Sequence, residues 1–532
     1  MTKKLALITL AILIFVTFVN SLNNAFLSDD LAEIVQKPTI GDLSSILPYW
    51  TAPIRHIIYF FAYHIGGLNP FFFRITNVLF HLGSTFFVYL IVLSIYKSKR
   101  LSLITASLFA IHPGIGEAVV WISGGMYAQY TFFFLASFYF YITPGKRNYF
   151  LSILFYLFSL MSHPVMPIAL FVIFPLYELV FGNFKKNWIK VFPFLTMSLM
   201  YVFKVFLGLG EREQTLQQVH LQEKGVDNPF IQIPIAISSY FELIFFPKTL
   251  TLYHSELAFG PISFTIRAAV TLSFFALIIF GFLKKKAIFF WGSLFLISLS
   301  PTLTPFRLNW VVAERYLYLP SIGIFVLVAL SLEYLITKFS KYKKIFLSLI
   351  CLIIVLLSFR TIIRNIDWKN EDNLWIATGK TSPSSPNTHN NLGDVYGRQG
   401  DKQKALQEFQ TAIMLKPNYA DAYHNLANTY RELGATDSAL LNYQKATEFN
   451  PRLWQSYQNI AAIYFEQKNY DLALEYMQKA LTVNPNTNLA NNLGVVYLAK
   501  GEKEKAKEIF TQILAIDPQN QLARQGLIEA SK

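Results

Sequence analysis

Two adjacent carboxylates, Asp29 and Asp30, follow the first long apolar run of the chain, and Glu33 lies one helical turn beyond them. A carboxylate just outside a membrane span can act as a general base that deprotonates an acceptor hydroxyl. The simpler interpretation is a solvated loop or a helix N-cap, because Asp is common immediately before helices. The local sequence leaves both interpretations open, so the surrounding elements have to decide between them.

Composition indicates the environment in which these carboxylates work. The chain has 532 residues, of which 53% are hydrophobic and 15% are charged, and its mean hydropathy is +0.38. These values predict a polytopic membrane protein. Residues 370–532 contain 16 Lys+Arg and 17 Asp+Glu, so the excess of basic residues lies entirely in residues 1–369. We therefore expect a membrane surface, and no nucleic acid, as the partner of the basic part.

Basic clusters recur between the apolar runs and predict cytoplasmic loops. Placing every cluster inside gives about eleven spans, with Asp29 and the C-terminus both outside. Two apolar pieces, 53–66 and 231–246, do not fit as crossings and are predicted to be interfacial or re-entrant helices on the outer face. The predicted spans are 5–22, 73–96, 101–118, 125–143, 149–163, 165–182, 191–209, 263–283, 287–303, 319–337 and 345–362.

Other polar residues on the predicted outer side are weaker candidates for chemistry. Glu117 is a candidate because an acid near a membrane boundary is costly unless it is paired or solvated. His81, His112 and His163 are expected to have structural roles more often than catalytic ones, because a polar residue near a span commonly bonds a neighbouring helix.

The sequence after Asp367 repeats with a period of about 34 residues. This is the tetratricopeptide period, and it predicts an α-solenoid whose concave surface binds a peptide or protein. The alternative is that the repeats only pack on their own membrane domain. The recurring positions are Asn391/Asn425/Asn459/Asn492, Tyr396/Tyr430/Tyr464/Tyr497, Ala405/Ala439/Ala473/Ala506 and Pro417/Pro451/Pro485/Pro518. We expect an all-α chain with a membrane domain at 1–366, a linker at 367–386 and four repeats at 387–532.

Four stretches and the repeats together resemble the multispanning proteins with C-terminal tetratricopeptide repeats that belong with the protein O-mannosyltransferases of the GT-C superfamily. The stretches are Ser28-Asp29-Asp30, Asn69 to His81, His112 to Gly124 and Glu314 to Gly323. The resemblance covers nearly the whole chain. It favours a catalytic carboxylate at Asp29 or Asp30 over the simple N-cap.

The resemblance implies inverting transfer of a sugar, typically mannose, from a polyprenyl phosphate to a hydroxyl, usually of Ser or Thr in a protein. Arg315 is then the cation that neutralises the departing phosphate, its alternative being an arginine that snorkels to the interface. Glu314, Glu117, His112 and Arg55 complete the predicted substrate-binding set. No tightly held metal ion is indicated, no certain cofactor is implied beyond the donor lipid, and a requirement for a divalent metal is left open.

The chain also departs from the pattern of that family. It has Ala52-Pro53 where an Arg-Pro pair is usual, with Arg55 two residues later, Gly125-Met126-Tyr127 where relatives often place Arg-Asp, and His163-Pro164 in place of Lys-Glu. A non-catalytic membrane scaffold, or transfer to a lipid or glycan acceptor, therefore stays open. The richness in Lys, Asn and Phe suggests a bacterial plasma membrane, with the site and the repeats on the periplasmic or extracellular side.

Overall fold

The computed structural model of the chain describes residues 2–46, 52–207, 228–303 and 311–532. Within these ranges the regular secondary structure is entirely helical and contains no strand, so the predicted all-α class is confirmed. The chain forms two compact units, Met1–Ala377 and Thr378–Lys532. The boundary between them falls within the helix Glu371–Thr381, in the stretch predicted as a linker.

Each predicted span of the first unit overlaps a helix. The helices of this unit are α1 (Lys3–Phe18), α2 (Ile54–Gly66), α3 (Pro70–Tyr96), α4 (Lys99–Ile111), α5 (Glu117–Val120), α6 (Met126–Ile142), α7 (Lys146–Ser162), α8 (Ile173–Val180), α9 (Phe184–Leu207), α10 (Pro229–Phe245), α11 (Pro261–Lys284), α12 (Lys286–Leu299), α13 (Ser321–Lys338), α14 (Lys343–Asp367) and α15 (Glu371–Thr381).

Six helices in the described ranges are long and apolar enough to cross a membrane: Lys3–Ser21, Pro70–Tyr96, Phe184–Leu207, Pro261–Lys284, Ser321–Lys338 and Ser340–Asp367. The chain is thus an integral membrane protein, while the count of about eleven crossings stays a prediction. The last two residues of the span predicted at 191–209 lie outside the described residues.

Prolines explain where helices are shorter than the predicted spans. Helix α4 ends at Ile111 rather than near 118, because the residue before a proline disfavours helical geometry and His112 precedes Pro113. The span predicted at 165–182 begins as a 3₁₀ helix, Met166–Val172, and only then becomes α8. Both interruptions leave irregular backbone near predicted span ends, where polar groups can be exposed.

Helix α3 lies at the centre of the first unit and contacts α1, α2, α4, α5 and α6. Its first turn is set by Asn69, whose side chain accepts a hydrogen bond from the backbone N–H of Phe71, and by Pro70. Helix α1 is joined to α14 by polar contacts, including a 2.7 Å hydrogen bond between the hydroxyls of Thr17 and Ser358. Together these contacts hold the segment after α1, which carries both aspartates, against the centre of the unit.

The second unit consists of four helix pairs and a final helix. The helices are α16 (Pro386–Arg398), α17 (Lys402–Leu415), α18 (Ala420–Glu432), α19 (Thr436–Phe449), α20 (Trp454–Glu466), α21 (Tyr470–Val483), α22 (Thr487–Lys500), α23 (Lys503–Ile516) and α24 (Gln521–Ser531). The four repeat alanines, such as Ala405, are fully buried, as the close crossing of two helices requires. Each repeat proline lies two residues beyond the end of a second helix, where it prevents continuation.

The turn inside each pair needs a residue with positive φ. Gly400, Gly434 and Gly501 supply it in the first, second and fourth pairs. Lys468, with a φ of 61°, supplies it in the third pair. A non-glycine residue pays roughly 1–2 kcal/mol for this conformation. The shared turn geometry keeps the four pairs alike despite the different residue.

Candidate active site

Arg74 anchors the segment that leads to the two aspartates. Its guanidinium is fully buried and donates hydrogen bonds to the backbone carbonyls of Leu22, Asn24, Ala25 and Val120, at 2.5 to 3.2 Å. Four carbonyl partners satisfy a buried cation that would otherwise be very costly. Helix α3 thereby joins the chain before Asp29 to the last residue of α5.

Asp30 also holds the segment after α1 against the chain that follows α5. Its Oδ1 accepts hydrogen bonds from the backbone N–H of Ser123 at 2.8 Å and from the Ser123 hydroxyl at 2.5 Å, and its Oδ2 accepts one from the N–H of Leu27 at 3.1 Å. Burial raises the pKa of Asp30 to about 6, and the hydrogen bonds and the charge of Arg74 oppose that rise only in part. These contacts give Asp30 a positioning role.

Asp29 differs from its neighbour because its side chain is exposed. The preceding residue, Ser28, has a φ of 51°, and its N–H donates to Glu371 at 3.3 Å. Burial raises the pKa of Tyr253, the negative charge of Asp29 raises it further, and the positive charge of Arg315 opposes the rise.

Glu117 and Arg315 form a buried ion pair. Glu117 is fully buried, its Oε2 accepts a hydrogen bond from the backbone N–H of Arg315 at 2.9 Å, and its Oε1 accepts one from the guanidinium. The guanidinium lies 5.5 Å from the ring centre of Trp121 and 5.1 Å from that of Tyr316. The indole N–H of Trp121 donates to the carbonyl of Leu27 at 3.3 Å, so this tryptophan connects the cation to the aspartate segment.

A second buried ion pair lies beside the first. Glu314 accepts hydrogen bonds from Arg364 at 3.1 Å and from the backbone N–H of Thr251 at 2.5 Å, and Arg364 also contacts Asp367 at 3.0 Å. Burial raises the pKa of Glu314, and the charge of Arg364 opposes this rise. Trp368 lies under Arg364, and its ring stacks on that of Trp121 with centroids 6.1 Å apart.

The remaining predicted site residues have other surroundings. His112 donates from Nε2 to the carbonyl of Ile244 at 2.9 Å and accepts at Nδ1 from the N–H of Gly114 at 3.2 Å, so it joins the end of α4 to the end of α10. Arg55, in the first turn of α2, forms an ion pair with Glu33 at 3.4 Å. Their roles in substrate binding stay predictions.

The structure thus brings Asp29, Asp30, Glu117, Glu314 and Arg315 to one end of the membrane unit. It adds residues that the sequence analysis did not select: Arg74, Trp121, Arg364 and Trp368. Across the described residues, no group of three or more His, Cys, Asp or Glu side chains is placed to hold a metal ion.

These features define a helical membrane protein with a polar site at one end of its membrane unit and a separate tetratricopeptide domain. Family models for tetratricopeptide repeats match residues 398–434, 420–453 and 454–519. Protein O-mannosyl-transferase TMTC3 of Homo sapiens is 27% identical over 414 residues, covering 69% of this chain and 44% of its own length. Protein O-mannosyl-transferase F38B6.6 of Caenorhabditis elegans is 24% identical and covers 78% of this chain and 63% of its own length.

Matches of this extent are longer than the whole of Thr378–Lys532, so they necessarily include much of the membrane unit. The chain therefore resembles the protein O-mannosyl-transferases with tetratricopeptide repeats in both of its units, as the sequence predicted. It spans 12% to 63% of the length of the first relatives it matches. Among solved structures, the crystal structure of MamA is 21% identical and aligns with 28% of this chain and 82% of its own, at a TM-score of 0.25.

Proposed function

We propose that this protein transfers a sugar, mannose in the first instance, from a polyprenyl phosphate to a hydroxyl group of an acceptor, with Ser or Thr of a protein as the preferred acceptor. The observation that carries the proposal is an exposed carboxylate, Asp29, on the segment that Trp121 joins to the cation Arg315: the Trp121 indole N–H donates to the carbonyl of Leu27 at 3.3 Å, and the Arg315 guanidinium lies 5.5 Å from the Trp121 ring centre. The names of the relatives support the same activity. The transfer takes place on the non-cytoplasmic side, at the headgroup level of the membrane.

The reaction needs few protein groups. The acceptor oxygen attacks C1 of the sugar from the face opposite the phosphate, the bond between C1 and the phosphate oxygen breaks, and the configuration at C1 inverts. Asp29 accepts the proton of the acceptor hydroxyl as the new bond forms. The polyprenyl phosphate leaves as an anion, so no acid is required at the leaving group.

Arg315 neutralises the phosphate. A guanidinium has five N–H donors, and the contact with Glu117 engages only part of that capacity. Because Glu117 and the rings of Trp121 and Tyr316 fix the guanidinium before substrate arrives, it needs little reorganisation as negative charge develops. Glu314 and Arg364 extend the same polar region and hold the short helix Glu314–Leu317 in place.

The tetratricopeptide unit recruits the acceptor in this proposal. Its four stacked pairs offer an extended surface for a peptide or protein, and tethering the acceptor raises its local concentration near the membrane unit. The competing function is a membrane-anchored scaffold without catalysis. An anchor has no need of two buried ion pairs beside an exposed carboxylate, each of which costs desolvation energy.

The deciding experiment supplies purified full-length protein with a panel of polyprenyl-phosphate sugars and a Ser/Thr-rich peptide, and measures release of the polyprenyl phosphate. Release with at least one donor, dependent on the peptide and abolished by Asp29→Asn, is the expected result. No release from any donor, while the protein still captures acceptor proteins through its repeats, would favour the scaffold.

A further inference from the structure

The backbone of Ser28 has a left-handed conformation that needs a partner to hold it. Its φ is 51°, and for a residue with a side chain this conformation is roughly five- to thirtyfold less populated than the ordinary ones. Ser28 immediately precedes Asp29, so its backbone torsions decide where the Asp29 carboxylate points. An unfavourable conformation of this kind persists only where surrounding contacts fix it.

Glu371, the first residue of α15, supplies such a contact. Its Oε1 accepts a hydrogen bond from the backbone N–H of Ser28 at 3.3 Å, in a partly buried position. A charged acceptor strengthens a hydrogen bond to a backbone N–H. Because the two residues are 343 positions apart in sequence, the bond exists only in the folded chain.

Other bonds of this segment hold the residues on either side of Ser28. The N–H of Ala25 donates to the carbonyl of Lys369 at 2.9 Å. The N–H of Leu27 donates to the side chain of Asp30 at 3.1 Å, and the carbonyl of Leu27 accepts from the N–H of Asp30 at 2.9 Å. These bonds place the segment as a whole, whereas the bond from Glu371 acts on Ser28 itself.

Glu371 also has an ordinary structural role as an acid at the beginning of a helix. Glu371 and Asp372 both lie in the first turn of α15, where negative charge interacts favourably with the helix dipole. A charge at the end of a helix does not explain the hydrogen bond to Ser28. The two roles therefore make different predictions when Glu371 is changed.

We propose that Glu371 is the positioning residue of the catalytic carboxylate: by holding Ser28 in its left-handed conformation, it aligns Asp29 with the acceptor hydroxyl. The proposal rests on the proposed function, because Glu371 acts through Asp29. Glu371 accepts no proton from the substrate in this role. Its loss lowers the fraction of molecules in which Asp29 is aligned, and so lowers kcat, whereas affinity for the donor depends on Arg315.

The first test compares Glu371→Ala with Glu371→Gln in full-length protein. Glu371→Ala removes the acceptor and should lower kcat about tenfold, as expected for one hydrogen bond to a charged group. The KM for polyprenyl-phosphate mannose should change by about twofold or less. Glu371→Gln keeps an acceptor oxygen and should retain about a third or more of kcat. Asp372→Ala removes the other acid of the same turn and is the matched control, with kcat and KM retained.

Ser28→Gly separates positioning from a general effect on the helix. Glycine adopts positive φ without steric cost, so alignment of Asp29 in the Ser28→Gly protein depends less on Glu371. In that background Glu371→Ala should lower kcat only about twofold, against about tenfold in the unaltered protein, and the double-mutant cycle measures this coupling. Weakening of the helix end alone would lower kcat by the same factor in both backgrounds.

Hydrogen exchange of the backbone N–H of Ser28 reports the same contact without turnover. Glu371→Ala should speed this exchange about tenfold, because the N–H loses its partner. Asp372→Ala should leave the exchange rate unchanged. The measurement therefore shows whether Glu371 holds Ser28 in solution, independently of the sugar donor.

An unchanged kcat in Glu371→Ala would overturn the positioning role, and so would an equal loss of kcat in the two backgrounds or an unchanged exchange rate at Ser28. Each of these results requires that the unaltered protein turns over. Failure of the unaltered protein to release polyprenyl phosphate from any donor is a different result. It contradicts the transferase function itself, and with it a catalytic purpose for the contact between Glu371 and Ser28.

Discussion

Asp29 and Asp30 are consecutive residues with opposite environments: Asp29 is exposed, and Asp30 is fully buried and accepts three hydrogen bonds from Leu27 and Ser123. The left-handed conformation of Ser28, immediately before them, turns the chain at this point. The hydrogen bonds of Asp30 hold the segment in place. Under the proposed function, Asp29 is the carboxylate that receives the proton of the acceptor hydroxyl.

Asp29→Asn keeps the size of the side chain and most of its hydrogen bonding but removes the base. We expect turnover to fall roughly a hundredfold or more, with donor affinity and thermal stability unchanged. The measurement is steady-state release of polyprenyl phosphate together with donor binding. Asp42→Asn, a change at another exposed acid of the same segment, is the control and should retain activity. Near-normal turnover in both Asp29→Asn and Asp30→Asn would contradict the carboxylate mechanism.

Asp30 should make stability depend on pH in an unusual direction. Its pKa is about 6 in the folded protein against an ordinary 3.8, so between pH 4 and 6 the folded state binds more protons there than the unfolded state. The protonation of Asp30 therefore contributes at most about 3 kcal/mol to the free energy of unfolding. This stabilisation is fully present below pH 4 and is lost as the pH rises through 6.

The corresponding measurement is thermal unfolding in detergent at several pH values from 4 to 7. Asp30→Asn should flatten the dependence on pH in this window, while Asp42→Asn should leave it as in the unaltered protein. The same slope in all three proteins would show that Asp30 does not titrate in this range.

Features that depend on neighbouring residues in the sequence could be predicted. The span predicted at 73–96 lies within the helix Pro70–Tyr96, and the two apolar pieces at 53–66 and 231–246 correspond to the helices Ile54–Gly66 and Pro229–Phe245. Their location on the outer face stays a prediction. The 34-residue spacing likewise predicted the helix pairs of the repeats. Apolar runs, prolines and repeat spacing shape the helices through residues that are close in sequence. A single sequence therefore suffices to predict these helices.

The site could be predicted only in part, because its contacts join distant segments. Asp29, Glu117 and Arg315 are visible as charged residues beside apolar runs. Arg74 is not, since it acts by bonding the carbonyl of Leu22 and others far along the chain. Arg364 lies 50 residues from Glu314 in sequence. One local signal was available: Arg364 and Asp367 share a face at the end of the last apolar helix, where a charge is costly without a partner.

The orientation of the membrane unit is open to a direct test. The positions of the lysine clusters predict that Asp29 and the repeats share the non-cytoplasmic side. Reporter fusions after residue 40 and after residue 400 should both report that side. Reporters on opposite sides would mean an odd number of crossings between the two positions and a different assignment of the interfacial helices.

The repeats should serve recruitment and leave the chemistry to the membrane unit. A chain ending near Ser382 is expected to transfer sugar to a short peptide at a normal rate and to lose rate on a folded protein acceptor, because tethering raises the local acceptor concentration. Parallel rate measurements on the two acceptors check this. An equal loss on both acceptors would assign the repeats a part in the reaction or in the stability of the membrane unit.

Single and double substitutions of Glu117 and Arg315 distinguish the effect of this ion pair on stability from its effect on turnover. Removing one partner leaves a buried charge without compensation, so Glu117→Gln and Arg315→Met should each destabilise the protein by roughly 3–5 kcal/mol. The double variant should be destabilised by less than the sum, since neither charge remains. Turnover should nevertheless stay low in the double variant, because the cation that neutralises the phosphate is still missing.

Arg100 and Glu333 provide the matched control for that cycle. They form a 2.6 Å ion pair between α4 and α13 that is partly exposed, so breaking it should cost about 1 kcal/mol or less and should not change turnover. Thermal unfolding and polyprenyl phosphate release, measured on all variants, complete the comparison. Normal turnover in the Glu117→Gln/Arg315→Met protein would remove Arg315 from the mechanism, and strictly additive losses of stability would show that the two charges do not compensate each other.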